Sequence, residues 1–159
     1  MKQFAVIGDP IAHSLSPLLH QEIYRQLWFD VSFEKVHVTP ESLSLFMDEN
    51  VLDGFNVTIP HKESIIPYLA ALDESAQMIG AVNCVAGEIG YNTDWIGFLK
   101  AMASNGVEIN GKNCLIIGAG GAARAVGYAL VQAKAKSIIF QNRTKSRANQ
   151  LIAWINKLY

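Results

Sequence analysis

The segment Cys114-Leu115-Ile116-Ile117-Gly118-Ala119-Gly120-Gly121-Ala122-Ala123-Arg124 narrows the folds open to this chain more than any other. Its apolar start reads as a buried strand, its small residues permit a tight turn, and Ala125, Val126, Ala129 and Leu130 continue with helical spacing. Strand, glycine loop and helix in that order open a Rossmann unit, where missing side chains let a pyrophosphate reach the N–H groups of the helix start. Ala123 stands at the third glycine position, which the pattern tolerates. A glycine pattern alone is weak, but its flanking strand and helix supply the confirming context. The candidate phosphate-binding residues are therefore Gly118, Ala119, Gly120, Gly121 and Ala122.

A following strand, Ser137 to Phe140, leads into Gln141-Asn142-Arg143-Thr144. NAD-specific domains place an acid here, about 20 residues past the loop, to bind the ribose 2′-OH. No acid follows Glu108; Arg143, Lys145 and Arg147 stand there instead and suit a 2′-phosphate through charge-assisted hydrogen bonds. The cofactor predicted from these residues is NADP. A charge split supports it: residues 1–110 hold 14 acidic and 5 basic side chains, residues 111–159 none and 8. The basic residues are interspersed with apolar elements and no aromatic stacking motif accompanies them, so a nucleic-acid partner is not expected.

Upstream, Gly54-Phe55-Asn56-Val57-Thr58-Ile59-Pro60-His61-Lys62 alternates apolar and polar residues as a half-buried strand does. Pro60 stops the ladder and can open a helix, which directs Lys62 from a strand end. Phe4 to Ile7 and Val31 to Val38 read as further strands, and Ala81 to Val85 as a fourth with Asn83 inside it. Ser16 reads as an N-cap with Pro17 at the first helical position, opening a helix with Leu19, Ile23 and Leu27 on its apolar face. Ser14 and Ser16 could both offer hydroxyls to an anion there. Helices are also expected from Thr39-Pro40-Glu41, after Lys62 with Ile65, Ile66 and Leu69, and over Asp73 to Ile79. Asn92-Thr93-Asp94 caps another, with Ile96, Phe98, Leu99 and Met102, and a last one runs from Arg147 to Tyr159.

The turn-rich stretch Asn105-Gly106 to Asn110-Gly111 marks a boundary, giving domains 1–105 and 106–159. The fold class is α/β: a largely parallel sheet domain for the substrate, followed by a partial Rossmann-like doubly wound domain. Cys84 and Cys114 lie outside any metal or disulfide spacing and read as buried reduced thiols; the histidines show no ligand spacing, so no metal is implied. No signal-peptide layout and no span of about 18 apolar residues is present, so no membrane partner is expected and the cytoplasm is the default.

Four motifs, in order, carry a resemblance: Ser14-Leu15-Ser16-Pro17, Asn56-Val57-Thr58-Ile59-Pro60-His61-Lys62, Ala81-Val82-Asn83 and Asn92-Thr93-Asp94. With them the chain resembles the N-terminal part of a shikimate dehydrogenase. The resemblance implies NADP-dependent, reversible reduction of 3-dehydroshikimate to shikimate in aromatic amino-acid biosynthesis. It implies that Lys62 and Asp94 are catalytic and that Ser14, Ser16, Thr58 and Asn83 bind the substrate, the serines holding its carboxylate. Asn142, Arg143, Thr144 and a second arginine, Arg147, match the family's NADP-binding pattern. Trp95 stands where the family often has a smaller residue, which implies a different pocket rim.

The chain stops early for a dinucleotide domain, which is built around six strands. The family continues with the rest of that domain and a C-terminal helical segment that packs back on the first. A second reading is therefore a non-catalytic substrate-binding or interaction module left by truncation. The open sheet edge and apolar face of half a Rossmann unit would favour pairing into a homodimer. A quinate/shikimate dehydrogenase using NAD is disfavoured by Arg143 and Arg147.

Overall fold

Alternation along the first strand decides how the N-terminal sheet is covered. The computed structural model describes residues 2–158. The chain begins with β1 (Lys2–Gly8), α1 (Ser16–Gln26), β2 (Val31–His37), α2 (Leu43–Glu49), β3 (Gly54–Val57) and α3 (His61–Ser64). It continues with β4 (Ala71–Leu72), α4 (Glu74–Ile79), β5 (Cys84–Ala86) and β6 (Ile89–Tyr91). Ala5 and Ile7 enter one core with Phe55, Val57 and Val85, packed with Leu43, Phe46 and Ile65. The intervening Phe4 and Val6 enter another with Ile11, Phe33 and Tyr24 of α1. Each fully buried Val, Leu, Ile or Phe among them contributes about 1.5–3 kcal/mol relative to exposure.

The six strands are ordered β2-β1-β3-β5-β6-β4. β1 runs parallel to both β2 and β3, and β4 parallel to β6, as a largely parallel sheet requires. The exception is β5, antiparallel to β3 and β6. The expected strand over 81–85 is thus displaced: regular pairing begins at Cys84, and Asn83 lies in the bend before it. The β5–β6 turn uses Gly87 at φ +59°, a conformation glycine adopts without a Cβ penalty. β4 and β6 span only two and three residues, too few for alternation to reveal.

Two helices depart from expectation. α3 ends at Ser64 and gives way to a 3₁₀ turn over Ile66–Tyr68, because Pro67 lacks the N–H that an α-helix would use. In α1 the predicted apolar face is turned outward: Leu19, Ile23 and Leu27 are 61%, 41% and 55% exposed. His20 and Tyr24 face the sheet instead, where their rings meet Phe33.

After α5 (Asp94–Ser104) come β7 (Asn113–Ile117), α6 (Gly121–Gln132), β8 (Ser137–Gln141) and α7 (Lys145–Ile155). β7 and β8 pair in parallel from Asn113–Ser137 to Ile117–Gln141. Ile116 and Phe140 share a core with Ala123, Leu130, Ala148, Leu151 and Ile155. The alternate residues Leu115, Ile117 and Ile139 are exposed. Ile152 of α7 is 39% exposed. Tyr159, the expected end of that helix, lies outside the described residues.

Compactness divides the chain earlier than the turn-rich stretch suggests. One unit holds the residues up to Ala76 together with Val82–Tyr91; the other holds Gln77–Ala81 and the residues from Asn92 onward. α5 therefore belongs with the second unit, where Phe98 packs on the β7–β8 core. Cys84 and Cys114 are free thiols, both half-buried rather than buried.

Candidate active site

In the first unit, the ends of parallel strands collect the polar residues. Thr58 extends the ladder past β3, donating its N–H to the Ile7 carbonyl at 3.0 Å. Gly8 must lack a side chain beside it, since a Cβ there would come within 2.6 Å of Thr58 Cγ2 and 2.8 Å of the Ile59 oxygen. The Thr58 carbonyl then accepts the His61 N–H at 2.9 Å, which turns the chain into α3. Lys62 follows, half-buried, its carbonyl accepting the Val82 N–H at 2.7 Å. Asn83 is tied to the same strand end: its carbonyl accepts the Val57 N–H at 2.8 Å and its N–H donates to Tyr91 at 2.9 Å. Thr58, Lys62 and Asn83 are thus gathered by backbone bonds around the end of β3.

His61 anchors this turn. It is fully buried and its Nε2 lies 2.6 Å from the Val38 carbonyl just beyond β2, so Nε2 carries the proton it donates. The residue before Lys62 is thereby pinned to a neighbouring strand.

Ser14 and Ser16 stand half-buried at the start of α1. The expected cap is corrected: Leu15 occupies the N-cap position without a side-chain cap bond, and Ser16 is the first helical residue. Ser14 Oγ accepts the Ser16 N–H at 3.3 Å, a local turn that sets the two hydroxyls two residues apart around the helix entry.

His20, one turn further along α1, went unassigned in the sequence because no ligand spacing includes it. Its ring stacks on Phe33 with centroids 4.1 Å apart and planes at 5°. Burial lowers its pKa below the usual 6.5. The unfolded chain therefore takes up the proton first as pH falls: stability is full above about pH 6.5 and declines below it until the folded imidazole is also protonated. Urea titrations of wild type and His20→Phe at pH 7.5 and 5.5 are expected to show the larger acid-side loss in wild type. An equal loss in both would assign the acid sensitivity to other groups.

In the second unit, Asp94 is the first residue of α5 and half-buried. The Asn92-Thr93-Asp94 turn opens the helix as expected: Thr93 holds the N-cap position, and the buried Asn92 supplies a bond, its Oδ1 accepting the Asp94 N–H at 3.1 Å. Asn92 Nδ2 donates to the Ala81 carbonyl at 2.8 Å, fixing the turn from below. Trp95 packs edge-on against Tyr128 at 5.3 Å and beside Ile79, Ala81 and Ala125.

The glycine loop occupies the end of β7. Gly118 adopts φ +127°, in the region that favours glycine, and donates its N–H to the Gln141 carbonyl at 2.8 Å. This bond sets the Gly118–Ala122 loop beside the Asn142–Thr144 turn at the ends of adjacent parallel strands. A Cβ added at Gly118 or Gly120 would meet nothing within 4 Å. α6 starts from Gly120 without a side-chain cap, so its first-turn N–H groups are left for an anion. Asn142 Nδ2 donates to the Thr144 carbonyl at 2.9 Å, and Thr144 is the N-cap residue of α7. Arg143 and Arg147 are exposed. Open space over the loop, an uncapped helix start and exposed guanidinium groups fit an NADP-type dinucleotide. Arg124 serves a different purpose: it donates to the Ile79 carbonyl at 3.3 Å and lies 5.3 Å over the Trp154 ring.

Among the described residues no group of three potential ligands could hold a metal ion, and no helix is long and apolar enough to cross a membrane.

A mixed α/β unit with polar strand ends, followed by a βαβ unit with a glycine-loop turn, defines the class of two-part dinucleotide-binding proteins. Residues 6–85 match the shikimate dehydrogenase substrate binding domain, and residues 100–158 match the shikimate/quinate 5-dehydrogenase domain. The chain belongs to the shikimate dehydrogenase family. It is 44% identical to the shikimate dehydrogenase (NADP(+)) of Nitrosopumilus maritimus, an alignment covering 99% of this chain and 60% of the relative. The shikimate 5-dehydrogenase of Thermus thermophilus, solved in complex with shikimate, superposes with a TM-score of 0.90 at 38% identity, covering 98% of this chain and 62% of that one. A 5-ketofructose reductase from a Gluconobacter strain superposes at 0.83 with 34% identity, covering 98% and 58%. The chain thus spans about three-fifths of the length of the curated relatives it matches.

Proposed function

We propose that this chain carries the substrate-binding part and the opening of the cofactor-binding part of an NADP-dependent shikimate dehydrogenase, which interconverts 3-dehydroshikimate and shikimate. The observation that carries this reading is the gathering of Thr58, Lys62 and Asn83 around the end of β3, beside the strand that leads to the serine pair. Functionally, residues 1–105 are assigned to the substrate and 106–159 to the cofactor. Ser14 and Ser16 receive the carboxylate, and Thr58 and Asn83 hydrogen-bond ring hydroxyls. Lys62 donates a proton to the oxygen of the C3 carbonyl as negative charge develops there, and Asp94 is the second residue assigned to the chemistry, as a carboxylate able to accept from a ring hydroxyl. Gly118, Ala119, Gly120, Gly121 and Ala122 receive the pyrophosphate, and Asn142, Arg143, Thr144 and Arg147 the 2′-phosphate end. NADPH, when bound, supplies the hydride to C3. The cytoplasm is the proposed location.

The deciding experiment measures shikimate-dependent reduction of NADP⁺, followed by NADPH absorbance, on this chain and on a version extended through any downstream reading frame. Activity in the extended version supports the enzyme. Activity in neither, with shikimate binding retained, supports the non-catalytic module. The exposed Leu115, Ile117 and Ile139 favour association of that module with a second copy. Absence of shikimate binding overturns both readings.

A further inference from the structure

Among the polar clusters of the first unit that the proposed chemistry does not use, one ties α1 to the sheet. His20 sits one helical turn beyond Ser16, and three elements converge on its ring. Phe33 of β2 stacks against it at 4.1 Å. Nδ1 lies 3.2 Å from the Tyr24 hydroxyl on the same helix. Asn56 Nδ2 of β3 lies 3.1 Å from Nε2. The amide donates to Nε2, so that nitrogen presents its lone pair and Nδ1 carries the hydrogen offered to Tyr24. A second proton would set N–H against N–H at Asn56, which acts in the same direction as the burial that lowers the pKa of the ring. Asn56 shares a strand face with Thr58, two residues on. A leucine could fill this space, but only an imidazole stacks on Phe33 while bonding in its own plane to both neighbours.

We propose that His20 is a positioning residue: it clamps the serine-bearing start of α1 to β3 and so fixes the spacing between Ser14, Ser16 and Thr58. The proposal rests on the reading of those three residues as substrate contacts. It also accounts for the outward face of Leu19, Ile23 and Leu27, because the clamp sets the rotation of α1 about its axis.

The test is His20→Phe, which retains the stacked ring and removes both hydrogen bonds. Amide hydrogen exchange in this chain is expected to quicken about fivefold or more over Leu19–Ile23, the equivalent of a lost interaction of about 1 kcal/mol, with the amides of α6 unchanged. Shikimate affinity of the chain is expected to fall about fivefold, and in an extended active version KM rises by that factor while kcat stays within about twofold. Unchanged exchange and unchanged affinity overturn the clamp. Equal loss in kcat and KM would point to general disruption and also overturns it. Ser16→Ala separates the two readings: if it leaves shikimate binding intact, the substrate assignment fails. The clamp is then decided by the exchange result, which needs no ligand.

Discussion

Replacing Lys62 by alanine is expected to lower kcat about 10²–10⁴-fold, the range spanned by a lost acid–base group, in a version that carries a complete cofactor domain. KM for shikimate should change only a few-fold. The asymmetry follows from the proposed roles: carboxylate and hydroxyl contacts are assigned to Ser14, Ser16, Thr58 and Asn83, whereas the amine is proposed to act on charge that appears only as the carbonyl is reduced. The local backbone should survive the substitution. His61 N–H, the Lys62 carbonyl and the His61 bond to Val38 all contribute to this turn through atoms that the substitution leaves in place. Steady-state kinetics with both substrates varied, alongside a melting curve, provides the check. Equal losses in kcat and in affinity would mean that Lys62 binds rather than reacts.

The second large effect concerns the cofactor. Removing both Arg143 and Arg147 is expected to raise KM for NADP⁺ about 10²-fold, since a hydrogen bond to a charged group contributes about 1.5–3 kcal/mol. KM for NAD⁺ should move little, because it lacks the phosphate these side chains are proposed to meet. Both arginines are exposed, and the fold around them rests on Ala148, Leu151 and Phe140, so stability should be nearly unchanged. A similar rise for both cofactors, or none for either, would remove the 2′-phosphate from their assignment. A titration of NADP⁺ into this chain gives the same comparison without turnover.

Much of this was legible along the chain. β1, β7 and β8 announce themselves as short apolar runs closed by glycine or polar turns, and the Gly118–Ala122 loop needs only its own small residues and flanking elements to be read. The absence of acids after Glu108 and the strand-end position of Lys62 are equally local facts. Such features rest on backbone sterics and side-chain period, which act between residues a few positions apart. Other features were decided only when distant segments met. β5 runs antiparallel because of its pairing with β3, some thirty residues upstream. α1 turns His20 and Tyr24 inward because Phe33 and Asn56 offer a stack and a hydrogen bond that its own sequence does not reveal. Asn92 holds the entry to α5 from both sides because its amide bonds the Asp94 N–H and also finds the Ala81 carbonyl. Local sequence determined which residues could lie on a strand or carry the chemistry; which way each finally faced depended on partners for buried rings and polar groups, and those partners were chosen only in the folded chain.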